Sequence, residues 1–170
     1  MELLIPIVLA LLASTASGQQ PTKPILPASQ MKVAISDSPD ALKSISGLQV
    51  IAEALDDESK AAGLDRVAIT TRVELALRRN GIRVYTKDEM LKTAGKSVLY
   101  VTVNVFGPNC IARLQCNQNV ISIVNPNVVI VGAAIWLKAS SGGSGRSVNM
   151  LGVDLLVDAF CNDFLTANPK

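Results

Sequence analysis

The chain contains no histidine. A serine or cysteine nucleophile therefore has no imidazole to activate it, and catalytic zinc loses its commonest ligand. Charge is sparse as well: 18% of the 170 residues are Asp, Glu, Lys or Arg, and aromatics make up 4%. With 49% hydrophobic residues the chain is too apolar for disorder, and its polar interruptions argue against a polytopic membrane protein. Sixteen bases nearly cancel fourteen acids. The bases Arg66, Arg72, Arg78, Arg79 and Arg83 alternate with Asp65 and Glu74 and lack a run of stacking aromatics, so a solvated helix face is expected and no nucleic-acid partner.

Cysteine is scarce and odd in number. Cys110, Cys116 and Cys161 leave at least one thiol unpaired in a monomer. Six residues in one extended strand span about 20 Å, whereas a disulfide joins Cα atoms about 5.5–6 Å apart, so Cys110 and Cys116 pair only across a turn. A bridge from Cys116 to Cys161 would tie the last helix to the sheet; the pairing stays open. The Cys110-x5-Cys116 spacing lacks the short pairing of structural zinc ligands, so no metal site is assigned.

The long apolar run that does exist is amino-terminal. "LLIPIVLALLA", Leu3 to Ala13, precedes the small residues "STASG" and has the shape of a secretory signal. It is shorter than the roughly 20 residues that span a bilayer, and Pro6 interrupts it. Residues 1–18 read as a signal peptide, with Ala16 and Gly18, or Ser14 and Ala16, at the cleavage-determining positions. Glu2 and the lack of a preceding Lys or Arg depart from the pattern, and cleavage itself stays open. Loss of this segment removes one acid and no base, leaving a net charge of +3 and no stable transmembrane span. No cysteine follows directly for lipid attachment. Residues 19–30 carry prolines without periodicity and read as an extended linker; residues 31–170 read as one α+β domain. The expected location is periplasmic or secreted.

Along the domain, Ser38 and Pro39 predict the start of a short helix ending by Gly47. Leu48–Leu55 predicts a strand, and "DDESKAAG" a polar connection with Asp56, Asp57 and Glu58 serving solubility. A helix is predicted over Leu64–Arg79 from the apolar stripe Ile69, Val73, Ala76 and Leu77. Gly81 stands where a left-handed cap is needed, so "RRNGIRVY" is explained as a helix stop entering a short strand, without a ligand. Thr86-x-x-Glu89 has capping-box spacing and predicts a helical turn to Thr93. "SVLYVTVNVF" alternates as a strand with one buried face. A weaker strand follows over Ile111–Val124, and Pro126 predicts a hairpin into "VVIVGAAIWL", apolar on both faces and so either central or a contact surface. "SSGGSG" predicts a flexible connection. The last helix is predicted over Val148–Ala167, burying Val153, Leu156, Val157, Phe160 and Phe164, with Asp154, Asp158 and Asn162 wet.

No catalytic, cofactor-binding or metal-ligating residue is assigned, and no cofactor. "GGSGRS" lacks the spacing and the lysine of a phosphate loop. Ser144 lacks the second glycine of a nucleophile elbow. Asp154 and Asp158 share a helix face, but like charges four apart ordinarily mark a solvent side. Trp136 and Tyr100 read as packing.

The segments "VELALRRNGIRV", "SVLYVTVNV", "AAIW" and "FLTANPK" resemble a family of uncharacterised exported bacterial proteins, over about Gly47 to Lys170. The resemblance implies secretion and one small α+β domain; it implies no catalytic residues. Arg72, where that family usually has an acid, and the three cysteines depart from its pattern. The element order predicts a two-layer α+β sandwich: a mostly antiparallel sheet of four to five strands with two main helices on one face. The expected function is an exported non-enzymatic binding or assembly protein of the bacterial envelope. Its partner would be an envelope protein, a lipid or a second copy, held by the apolar sheet face. The alternative is an envelope enzyme using carboxylate acid/base chemistry, with Asp154 and Asp158 as its pair.

Overall fold

The computed structural model describes residues 39–122, 124–143 and 146–169. The leader, the linker and the Ser38 cap lie outside them. A four-residue 3-10 turn, Pro39–Leu42, leads into β1 (Gln49–Ala52), α1 (Asp57–Ala61), α2 (Arg66–Arg79), α3 (Lys87–Lys92), β2 (Val98–Phe106), β3 (Asn109–Ile121), β4 (Val129–Gly143) and α4 (Arg146–Ala167). The strands lie in sequence order in one sheet; β1 is parallel to β2, and the other pairs are antiparallel. The fold is an α+β sandwich with a mostly antiparallel, four-stranded sheet. α2 lies over β1, α4 over β3 and β4, and the two helices pack on each other.

One core joins the layers. Leu99, Val101, Val103 and Val105 of β2 meet Ile69, Val73 and Leu77 of α2 and Val153, Val157 and Phe160 of α4. Alternation in β2 and the three-four spacing in both helices place these residues inward, and every position of the predicted α4 stripe is buried. Trp136 of β4 is fully buried and meets Phe160 edge-on, with ring centroids 5.0 Å apart. On the opposite face α3 covers only one end, where Tyr85, Met90 and Val98 form a small cluster with Ile51 and Tyr100.

α2 ends as its sequence dictates. Gly81 adopts φ +74°, its N–H donates to the Arg78 carbonyl at 3.0 Å, and Ile82 N–H reaches Leu77 O at 3.0 Å. This is the double hydrogen bond of a Schellman cap, closed by the burial of Ile82. The predicted capping box is also present: Thr86 Oγ1 accepts from Glu89 N–H, and Glu89 Oε2 accepts from Thr86 N–H.

Several expectations are corrected. "IRVY" forms no strand; only Val84 bridges to Leu48. The polar "DDES" connection contains α1, because Asp56 caps it by accepting from Ser59 N–H at 2.7 Å. Glu58 is structural too: it accepts the Gly107 N–H at 2.6 Å, while buried Ser59 Oγ accepts the Val105 N–H at 3.1 Å. The short β1 ends before β2 does, and these side chains satisfy donors that it leaves without a strand partner. Ser140–Gly143 are not a flexible connection but continue β4, paired with β3 back to Asn109. Among the described residues the doubly apolar strand is an edge strand, not a central one.

Candidate functional site

The largest concentration of exposed apolar side chains is at the far end of the β3–β4 hairpin. Ile121, Val124, Val128, Val129, Ile130 and Val131 are 46–79% exposed. From Leu114 to Leu137 the chain has no charged residue. β2 starts at Val98, opposite Asn117, so the residues beyond Asn117 extend past the body of the sheet as an arm. Two register shifts mark its root, between Cys116 and Asn117 and between Gln118 and Val120. There Gly132 takes φ +67° and donates its N–H to Asn119 Oδ1 at 3.0 Å, while Asn119 N–H donates to Gly95 O at 2.7 Å. A bulge of this kind needs a residue free to adopt positive φ, and it re-aims the strands beyond it. The tip closes through Ser122 N–H to Val128 O and Val128 N–H to Asn125 O, both 2.9 Å, around the predicted Pro126 turn.

The bare sheet face, the expected contact surface, is not continuously apolar. Thr102, Asn104, Arg113, Gln115 and Asn117 run through its middle, between Ile51 and Tyr100 on one side and Leu137 on the other. The apolar surface is the arm instead. The sequence signal was the absence of charge on both sides of "NPN", which periodicity within one strand does not reveal.

A cleft lies between α2 and α4. This cleft of about 990 Å³ is lined by Ala68, Arg72, Ala76, Met150, Asp154 and Asp158, among others. The candidate acid pair therefore faces a cleft, but Asp154, still partly exposed, is engaged across it. Arg72 Nε and Nη2 donate to its two carboxylate oxygens at 2.5 and 2.6 Å. A bidentate guanidinium occupies the carboxylate lone pairs that a proton transfer would use. Arg72 thus has its partner in the same chain. The remaining bases of the cluster are largely engaged: Arg66 binds Ala52 O, Arg78 binds Glu74, and Arg83 binds Glu89 and lies over the Tyr85 ring.

The three cysteines are buried and free, which removes the Cys116–Cys161 bridge. Burial pushes the Cys116 thiol up to about 12; burial, followed by the nearby Asp158, pushes Cys161 up to about 11. At neutral pH neither supplies a thiolate. Trp136 is packing, as read, but its indole has a partner that sequence reading missed. Asp163 Oδ2 accepts from Trp136 Nε1 at 2.9 Å and from Lys138 Nζ at 2.8 Å. Asp163 sits between Phe160 and Phe164 at the border of the buried stripe, and an acid in that place was the available clue.

Among the described residues no group of His, Cys, Asp and Glu side chains is placed to hold a metal ion, and no helix is long and apolar enough to cross a membrane. "GGSGRS" falls partly outside the described residues, with Arg146 opening α4.

No protein-family model and no curated protein matches the chain. Among solved structures it is similar to a PelC dodecamer from Paraburkholderia phytofirmans, with TM-score 0.38 and 13% identity over 71% of this chain and 91% of that one. It is also similar to the N-terminal domain of Protein Y from Thermus thermophilus, with TM-score 0.27 and 14% identity over 69% of this chain and 98% of that one. Likenesses of this size do not bear on function.

Proposed function

We propose that this protein is an exported, non-enzymatic binding or assembly protein of the bacterial envelope, acting by apolar contact through its hairpin arm. The observation that carries the reading is the uncharged arm itself, with Val124 and Val131 77% and 79% exposed at its end and root. Single exposed valines are ordinary on a protein surface; a contiguous group with no intervening charge marks a contact site. Export rests on the leader pattern of residues 1–18. The non-enzymatic part rests on the missing histidine, on buried thiols held protonated, and on the engagement of Asp154 by Arg72. The test is binding of an environment-sensitive hydrophobic dye and of lipid vesicles, together with sedimentation, for the natural chain and for Val124→Asp. The natural chain should show dye binding, vesicle binding or self-association, and the aspartate should diminish whichever is present. A monomer inert to dye and vesicles alike would end the reading.

A further inference from the structure

Among the described residues β4, Val129–Gly143, has a strand on one side only. Among the described residues no backbone hydrogen bond from another segment reaches its outer edge. Proteins usually guard so long an edge with charge, proline or a covering element. Here the register shifts bend the arm, but no charge appears on β4 before Lys138.

Two demands on an occupant follow from this surface. The outer N–H and C=O groups need hydrogen-bond partners, and the valines beside them need apolar cover. Lipid meets only the second: an open two-stranded ribbon leaves its edge groups unsatisfied in hydrocarbon, which is why membranes hold closed barrels. Another strand meets both. A second copy thus supplies the right backbone groups and an equally uncharged surface. Lys138 adds no repulsion of its own, since Asp163 holds its ammonium at 2.8 Å.

We propose that β4 pairs antiparallel with β4 of a second copy about a two-fold axis, joining the two sheets into one. This rests on the contact reading above and names its partner. The edges meet themselves, as an isologous interface requires.

The test is sedimentation equilibrium of the chain as the cell processes it, beside Val131→Lys on the arm and Leu155→Lys on the outer side of α4, where Leu155 is 59% exposed. The natural chain and L155K should be dimers, and V131K should raise the dissociation constant at least about tenfold, as a charge on an edge strand does. Single cysteines introduced in turn at Val129, Val131, Ala134 and Ala139 should crosslink with a maximum near one position, where the axis passes. Equal crosslinking at every position, or a dimer unaffected by V131K, would overturn the pairing. A monomer whose vesicle or dye binding depends on Val131 would also overturn it while leaving the contact reading intact; a monomer that binds neither would sink both.

Discussion

Arg72 of α2 grips Asp154 of α4 through two parallel hydrogen bonds of 2.5 and 2.6 Å, the one ion pair among the described residues that joins the two long helices. The carboxylate raises the Arg72 pKa, chiefly by accepting these bonds. Both side chains keep contact with water, 54% and 32% exposed, so the pair is screened. Arg72→Ala should lower stability by about 0.5–1 kcal/mol, and a double-mutant cycle with Asp154→Ala should give a coupling of the same size. Urea unfolding of the four proteins measures it. A coupling near zero would mean that packing alone holds α2 to α4.

Gly81 is a place where backbone, not ligand, sets the residue. Gly81→Ala must hold φ +74° with a Cβ, and should cost about 1 kcal/mol. Dye binding and oligomeric state should be unchanged. A variant of natural stability that lost them would reassign the Asn80–Gly81 corner to function.

The local rules were legible here because their causes are local. Gly81 and the Thr86–Glu89 box each satisfy backbone groups within a few residues, so spacing alone reveals them. The α4 stripe was legible for the same reason: one period and one face. What sequence reading lost were pairings between distant segments. Glu58 and Ser59 look like a soluble connection until β1 is known to stop short of the end of β2. Asp154 looks unengaged until α2 is known to lie beside it with Arg72 facing across. The place of "VVIVGAAIWL" stays open between a central strand and a contact surface, because apolar content reports which side chains could be buried, and only strand order tells whether anything lies beside them.

The thiols give a third expectation. A neutral-pH thiol reagent should leave Cys110, Cys116 and Cys161 of the folded protein unlabelled, since burial raises all three pKa values. All three should react once the chain is unfolded, and a non-reduced digest should contain no bridged peptide. Recovery of a bridged pair would contradict the geometry directly.

Acid should act on two caps together. The Ser59 hydroxyl and N–H lower the pKa of Asp56, and the Thr86 N–H, then Arg83, lowers that of Glu89, from ordinary values of 3.8 and 4.5. A carboxylate with a depressed folded pKa contributes its stability in full above the unfolded pKa and loses it as pH falls through the folded value. Glu89→Gln should therefore be less stable than the natural chain at neutral pH, with the gap closing below about pH 4. Urea midpoints measured from pH 7 down to the onset of acid unfolding check the sign. A gap that widens toward acid would refute it.

Asp163 joins the final helix to the edge strand through a single oxygen that accepts from both Trp136 and Lys138. Its side chain is 19% exposed, so water replaces little of what a mutation removes. Asp163→Ala leaves the buried indole N–H without its acceptor and frees the Lys138 ammonium, at a cost of about 1–3 kcal/mol. Asp163→Asn keeps an acceptor of the same shape but loses the charge, and should fall between the two. Trp136 is the sole tryptophan, so its fluorescence reports this junction without interference. The alanine variant should shift the emission of the folded state and lower the urea midpoint together. Because Trp136 lies on the body side of the bulges that begin the arm, a loss of dye binding in the asparagine variant at intact stability would show that the junction also sets how the arm is aimed.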